Sequence, residues 1–326
     1  MRFSVQLPTC TEGLVNPIPF ARPEDFVPLA QAAERLGYVA VWGNDHITAA
    51  PYVRTKWSEP PNFYEVLVTL ATVGAHTRRV RLGTAVLLPA LRQPVVLAHI
   101  VGTLDRLSEG RVILGIGIAT DGPAIRKEFA AVGVPFERRV GRVLETVEIC
   151  RALWSRDHVS FSGKHFTIED ATVEPKAQHP GGPPIWIGGS GPTALRLAAR
   201  FDAWFPTGPS VEFFAEHFPG VKDAARAAGR APDAVTGAAY VTLALDPSPA
   251  AAEQRLHQFL ETYYAAPARV ILARQACYAG PLDGCVEWLQ RWIDAGAGHI
   301  NLRFAGGDQL AQVDEAASRI LPRLRR

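Results

Sequence analysis

TRRVRLGTAVLLPALRQPVVLAHIVGTLDRLSEGRVILGIGIATD, residues 77–121, is the stretch that decides the fold. Its first apolar run, Val80 to Leu88, is broken only by Arg81 and small residues and is closed by Pro89, as expected of a strand buried on both faces. Pro94 then opens a helical pattern in which Val96, Leu97, Ile100, Val101, Leu104 and Leu107 recur until Gly110 stops it. Val112 to Gly117 forms a second apolar run. A strand-helix-strand crossover of this kind pairs its strands in parallel. Gly83, Thr84 and Ala85 place only small side chains along the first strand, and Gly115 and Gly117 bare the backbone at the exit of the second. Parallel α/β folds bind ligands at the carboxyl ends of strands, so a flat ring system is expected to rest there.

Upstream of this block, Arg2 to Leu7 alternates like a short strand and residues 23–36 read as a helix ended by Gly37. Tyr38 to Trp42 is the second strand, and it runs straight into Gly43-Asn44-Asp45-His46. Residues 47–61 are irregular and carry the aromatic residues Tyr52 and Trp57, while residues 62–76 form a helix that is apolar nearly all round. Downstream, residues 124–131 and 138–154 are helical, and residues 158–168 read as a hairpin turning at Ser162-Gly163-Lys164. Further strands are expected at 184–187, 202–205, 236–245 and 299–304, with helices between them and a closing helix at 310–324. The alanine-rich segment 249–274 is longer than a barrel connection needs and reads as an inserted lid. Eight strand-helix alternations without a linker predict one domain over residues 1–326, an α/β (β/α)8 TIM barrel with insertions after strands two, four and seven. A doubly wound sheet is the alternative.

Composition sets bounds on function. The 326 residues are 48% hydrophobic, and 34 Lys and Arg against 32 Asp and Glu leave a net charge of +2 with no basic run to track a nucleic-acid backbone. No apolar run has the length of a membrane span, and MRFSVQLP lacks the features of a signal peptide. These points predict a cytoplasmic protein with small-molecule partners, neither nucleic acid nor membrane among them. The four cysteines and nine histidines show no metal spacing, so no metal site is expected.

Several residues have the chemistry of a site. Gly188-Gly189-Ser190-Gly191, followed by Pro192 at a helix start, suits an anion site of free amides, although a tight strand-to-helix turn would use the same residues. Arg196 and Arg200 follow one and two turns on. Gly115-Ile116-Gly117 lacks the third glycine of a dinucleotide fingerprint because position 120 is Thr120. His46 has the ordinary pKa range to hand a proton to a substrate, and Asp45 can hydrogen-bond either a cofactor side chain or the imidazole. Trp57, Tyr52 and Trp42 can flank a flat substrate. Arg303, at the end of the last strand, can meet an anionic group.

The run RLGTAV...P.LRQP...A.....TLDRLSEGRV.LGIG, with Asn44-Asp45-His46 after the second strand, resembles the bacterial luciferase-like superfamily of flavin- and deazaflavin-dependent oxidoreductases. It is most similar to the branch that uses coenzyme F420. The resemblance covers nearly the whole chain and implies a TIM barrel that binds the coenzyme at its carboxyl mouth. It implies that Asp45, Thr84, Ala85, Val86, Gly115, Gly117, Ala119, Thr120 and the loop Gly188, Gly189, Ser190 and Gly191 hold the coenzyme, with His46 and Asp45 catalytic. Many relatives have a non-proline cis peptide behind the central ring, here expected at Ala85-Val86. Deazaflavin enzymes acting on sugars often have a carboxylate near the position of Thr120, and this chain has none there. The resemblance also implies a homodimer through the helices at 62–76 and 95–107. An FMN-dependent monooxygenase on the same fold and a non-catalytic flavin-binding protein are the alternatives.

Overall fold

In the computed structural model, which describes residues 1–9, 23–48, 62–231, 233–264 and 266–325, the decisive stretch folds as strand, helix and strand. Its first strand is shorter than the apolar run. Strand β3 covers Arg81–Thr84, the Ala85-Val86 peptide is cis as expected, and Leu87 bridges to Ile116 beyond the bulge. The helix Pro94–Leu107 has its proline at the first turn, where the missing N–H costs nothing, and the chain turns at Gly110 with φ +80° before β4, Val112–Ile116.

The remaining strands are β1 (Arg2–Gln6), β2 (Ala40–Gly43), β5 (Val159–Ser162), β6 (Thr167–Ala171), β7 (Ile185–Gly188), β8 (Ala203–Phe205), β9 (Thr236–Leu245), β10 (Cys277–Gly280) and β11 (His299–Phe304). Parallel pairing runs in the order β9-β11-β1-β2-β3-β4-β7-β8, and β8 pairs back onto β9 to close an eight-stranded (β/α)8 barrel. β5 and β6 form the expected antiparallel hairpin outside it. β10 was not visible in the sequence pattern. β9 is long enough to overhang the ring, and its last residues, Thr242 to Leu245, pair with Cys277 to Gly280. The segment read as a lid is the helix Pro249–Tyr264 followed by the short helix Ala268–Leu272, both leading into β10. The helix expected from residue 62 begins at Val66, because the Glu65 carboxylate accepts from the Val68 N–H and caps it.

The period of two along the strands sorts the side chains. Phe3 and Val5 join the large core between the sheet and its helices, whereas Trp42, Ile113, Trp186, Phe205 and Tyr240 pack together inside the ring. A polar ladder also threads the interior. Ser4 Oγ meets His299 Nε2 at 2.7 Å and donates to Asn301, Asn301 donates to Gln6, and Gln6 donates to Asn44 at 2.8 Å.

The small residues of the decisive stretch have a different use from the one the sequence suggests. A Cβ on Gly83 would lie 2.2 Å from the Trp42 ring, and one on Gly115 would lie 1.9 Å from the Thr84 carbonyl oxygen. Both glycines admit the protein's own close-packed bulge.

Candidate active site

Three consecutive residues at the end of β2 take three separate jobs. The Asn44 side chain donates to the carbonyl oxygen of Ala85 at 3.0 Å, so the polar ladder ends on the cis peptide and holds it against β2. Asp45 is buried, and its hydrogen bonds go to the turn after the bulge. Its carboxylate accepts two bonds from the Arg92 guanidinium, at 2.7 and 2.8 Å, and one from the Leu88 N–H at 3.0 Å. A buried carboxylate is stable only when its lone pairs are engaged, and this one is engaged by the turn that follows the bulge. Arg92 also reaches Glu65, which ties the same turn to the start of the helix Val66–Ala75. Of the three, only His46 reaches the cavity.

That cavity lies at the carboxyl ends of the strands and has a volume of about 730 Å³. His46, Thr120 and the loop Gly189, Ser190 and Gly191 share its wall, so residues separated by 143 positions or more in the chain, from His46 to Gly189, meet in one space. Thr84, Ala85, Val86, Gly115, Gly117, Ala119 and Gly188 do not line it. Thr84 spends its hydroxyl on the Gly115 carbonyl at 2.7 Å, while Gly117 and Gly188 lie against the Val86 side chain. Thr84, Gly115, Gly117 and Gly188 are buried, and Ala85, Val86 and Ala119 are half-buried. Ala119 has φ +63°, which turns the chain out of β4 and brings Thr120 to the rim. Tyr52 and Trp57 lie outside the described residues.

Arg303 is placed differently from the sequence expectation. It is buried under the insertion, bonded to Thr242, Tyr264 and Gln275, and surrounded by the rings of Tyr240, Phe259, Tyr263 and Tyr264 at 5.2 to 5.6 Å. Guanidinium against aromatic faces is a cohesive arrangement, and here it fastens the insertion to β11. Arg303 does not line the cavity. Arg274, at the end of the insertion, does.

Glu128 is the residue the sequence reading missed. It lies on the helix Pro123–Ala131 beside the fully buried Phe129, and its carboxylate faces His46 Nδ1 at 3.3 Å while accepting from the Ile47 N–H. Phe63 packs edge-on against the imidazole with centroids 5.8 Å apart. Burial opposes charge on His46, but the hydrogen bond and charge of Glu128, with the charge of Asp45 behind it, outweigh burial and raise the imidazole pKa. For Glu128 burial again opposes charge, and His46 with the Ile47 and Thr48 amides holds the carboxyl below its usual range. With Nδ1–H donating to Glu128, Nε2 is left as the working nitrogen.

In the glycine loop, Gly189 has φ +105° and its carbonyl accepts from Trp204 Nε1 at 3.0 Å, which orients the loop. The Ser190 hydroxyl oxygen is buried without a hydrogen-bond partner. An orphaned donor at a helix start fits an oxyanion of a ligand. Arg196 turns back to Thr193 on its own helix. Among the described residues no cluster of histidine, cysteine and acidic side chains has metal-binding geometry, and no helix is long and apolar enough to cross a membrane.

Comparison with known proteins agrees with this geometry. The sequence model described as luciferase-like monooxygenase matches residues 1–299. F420-dependent glucose-6-phosphate dehydrogenase of Nocardia farcinica is 31% identical over 325 residues, covering 93% of this chain and 94% of that protein. The enzyme of the same name from Kineococcus radiotolerans is also 31% identical, with 94% and 96% covered. Among solved structures, an F420-dependent secondary alcohol dehydrogenase in complex with an F420-acetone adduct superposes with a TM-score of 0.82 at 20% identity, covering 100% and 99% of the two chains. The monooxygenase RslO1 from Streptomyces bottropensis gives 0.80 at 24% identity, with 99% of each chain covered. The two structural likenesses speak for the barrel alone, whereas the family match and the full-length relatives speak for descent. The chain belongs to the luciferase-like monooxygenase family.

Proposed function

We propose that this protein is an F420-dependent oxidoreductase that exchanges hydride between the coenzyme and a small alcohol or carbonyl compound in the cavity at the barrel mouth. The observation that carries the reading is the meeting of His46, backed by Glu128, with the glycine loop in one cavity of a chain related end to end to F420-dependent dehydrogenases. The residues present fit the coenzyme. Ser190 and the amides of Gly189 to Gly191 would hold its phosphate, and the bulge at Ala85 and Val86 would back its ring. Coenzyme F420, when bound, supplies the hydride donor or acceptor.

The chain's own residues manage the proton and the environment. Protonated His46 gives a proton through Nε2 to a carbonyl oxygen, and neutral His46 takes one from an alcohol; Glu128 keeps Nδ1–H oriented in both directions. The raised pKa of His46 suits this role, since it favours the protonated form that donates to a carbonyl oxygen. The wall supports a choice of substrate class. Phe63, Ile125, Phe213 and Ile271 are apolar, and the carboxylate on the wall, Glu128, has both oxygens engaged. A partly apolar alcohol or ketone suits this lining better than a sugar phosphate. Mixing the oxidised coenzyme with a panel of secondary alcohols and glucose 6-phosphate, and following loss of deazaflavin absorbance, tests the reading. Turnover with an alcohol supports it, and turnover solely with reduced FMN and oxygen overturns it.

A homodimer is part of the proposal. Val68 on the helix Val66–Ala75 is 67% exposed, and Val96 and Leu107 on the adjacent helix Pro94–Leu107 are 58% and 76% exposed. Contiguous apolar side chains of this kind are suited to a second copy of the chain. Sedimentation should show a dimer at micromolar concentration, converted to monomer by Val96→Asp; a monomeric parent protein would contradict this.

A further inference from the structure

The opposite end of the barrel holds a second cavity, of about 420 Å³, between the beginnings of the strands. Its wall includes Arg2 on β1, Arg81 on β3, Trp186 on β7 and His299 on β11, with Arg79 and Glu34 at the rim. Strand periodicity explains the placement. Arg2 shares the inward face of β1 with Ser4 and Gln6, and Arg81 shares the inward face of β3 with Gly83, which abuts Trp42 inside the ring. The end layers of a closed eight-stranded barrel are ordinarily filled by branched apolar side chains. Here two arginines and a histidine share the bottom of the ring with Ile113 and Trp186.

Among the described residues on this wall, arginines outnumber carboxylates. Glu34 is the acidic residue on the wall, and its Oε2 already accepts the backbone N–H groups of Arg78, Arg79 and Val80. The Arg79 guanidinium reaches the Glu34 carbonyl oxygen at 3.4 Å, and Arg81 reaches the Val112 carbonyl at 3.3 Å. Burial and the charge of Arg2 act against the charged form of Arg81, and the charge of Asp105 acts for it. His299, nearly fully buried with Nε2 held by Ser4, is pushed down to about 3 by burial and by the charges of Arg2 and Arg81. It therefore stays neutral, and the field at the cavity floor is positive.

We propose that this basal cavity is a second ligand site, for a small phosphate-class oxyanion gripped by the guanidinium groups of Arg2 and Arg81. Arginine forks match tetrahedral oxyanions through paired N–H donors, and partial burial strengthens such bonds. The bound anion relieves the repulsion between the two guanidinium groups, so it stabilises the folded chain in proportion to its occupancy. The site is distinct from the phosphate-binding loop proposed at the mouth, because its residues lie at the beginnings of the strands and the loop lies at their ends.

Calorimetric titration with inorganic phosphate at constant ionic strength, chloride replacing phosphate in the reference, tests this. Three variants separate the two ends: Arg2→Gln and Arg81→Gln at the base, and Gly191→Asp at the mouth. The expected result is a saturable phosphate site that persists in Gly191→Asp and weakens about tenfold or more in each arginine variant. Arg81→Gln also removes a bond to the Val112 carbonyl; if it fails to fold, Arg2→Gln, on an exposed side chain at the chain start, decides. Unchanged binding in Arg2→Gln, loss confined to Gly191→Asp, or no saturable heat from the parent protein up to roughly 10 mM phosphate would each overturn the proposal.

Discussion

His46 and His299 sit at opposite ends of the same barrel and titrate in opposite directions. At the mouth, the negative charges of Glu128 and Asp45 outweigh burial and raise the pKa of His46. At the base, His299 faces Arg2 and Arg81, so burial and charge act together and push it down to about 3. The difference teaches that the fold does not assign a histidine its role. The charges that neighbouring elements bring to it do. At the mouth, Arg92 meets Asp45 and Glu65, and His46 meets Glu128. At the base, cations gather around a carboxylate that is already engaged.

Breaking the mouth pair should have the largest effect. His46→Ala is expected to lower F420-dependent turnover by roughly 10²-fold or more while leaving coenzyme binding nearly intact, the usual loss for a general acid. Comparable turnover in the variant would move the proton transfer to another group. Glu128→Gln keeps the shape and removes the charge. Turnover should fall about tenfold, and the limb of the kcat/KM profile that reports His46 should move to lower pH, since the charge that raises its pKa is gone. A limb that stays in place would reduce Glu128 to packing.

The mouth loop offers a test of charge alone. Gly189 has φ +105°, so any side chain there is strained whatever its charge. Gly191 has φ −79° and open space where a Cβ would stand, which makes Gly191→Asp the cleaner substitution. It should weaken coenzyme binding about tenfold, and Gly191→Asn much less, because only the first sets a negative charge beside the phosphate. Equal effects of the two would point to shape instead of charge.

The smallest effect concerns stability against pH, and here the two histidines separate again. His46 has a raised folded pKa, so its contribution is fully present below the ordinary imidazole value and is lost as pH rises through the raised one. His299 works the other way. Below the ordinary imidazole value of 6.5 the unfolded chain binds a proton that the folded chain refuses, so stability falls as pH drops toward about 3. His299→Gln should flatten that acid slope and move the acid midpoint of unfolding to lower pH, as followed by circular dichroism. A midpoint that stays or rises would show that the hydrogen bond to Ser4 outweighs the proton linkage.

Much of the barrel was legible because buried parallel strands are continuous apolar runs, as in Val112 to Ile116, and because Pro94 and Gly110 punctuate the helix between them. β10 was not, since Cys277-Tyr278-Ala279-Gly280 is too short to show a period and pairs only with the overhang of β9. The site was half legible. His46 stood out in its polar cluster, and the glycine loop announced a close approach. What a glycine approaches is not in the sequence. Gly115 and Gly83 looked like room for a ring and are filled by Thr84 and Trp42. Glu128 gave no signal, because a glutamate on a helix is ordinarily solvated and only the fold brings it against His46. Arg81 read as an interruption in an apolar run, and the ring closure makes it part of a charged layer.

The central claim is that the mouth binds a deazaflavin and that His46 serves its chemistry. Titrating the purified protein in parallel with coenzyme F420 and with FMN, followed by fluorescence, tests it before any substrate is known. The account predicts saturable binding of F420, weakened in Gly191→Asp and nearly unchanged in His46→Ala, with FMN binding far more weakly. Submicromolar binding of FMN with no detectable binding of F420 would contradict it and identify the protein as an FMN-dependent monooxygenase.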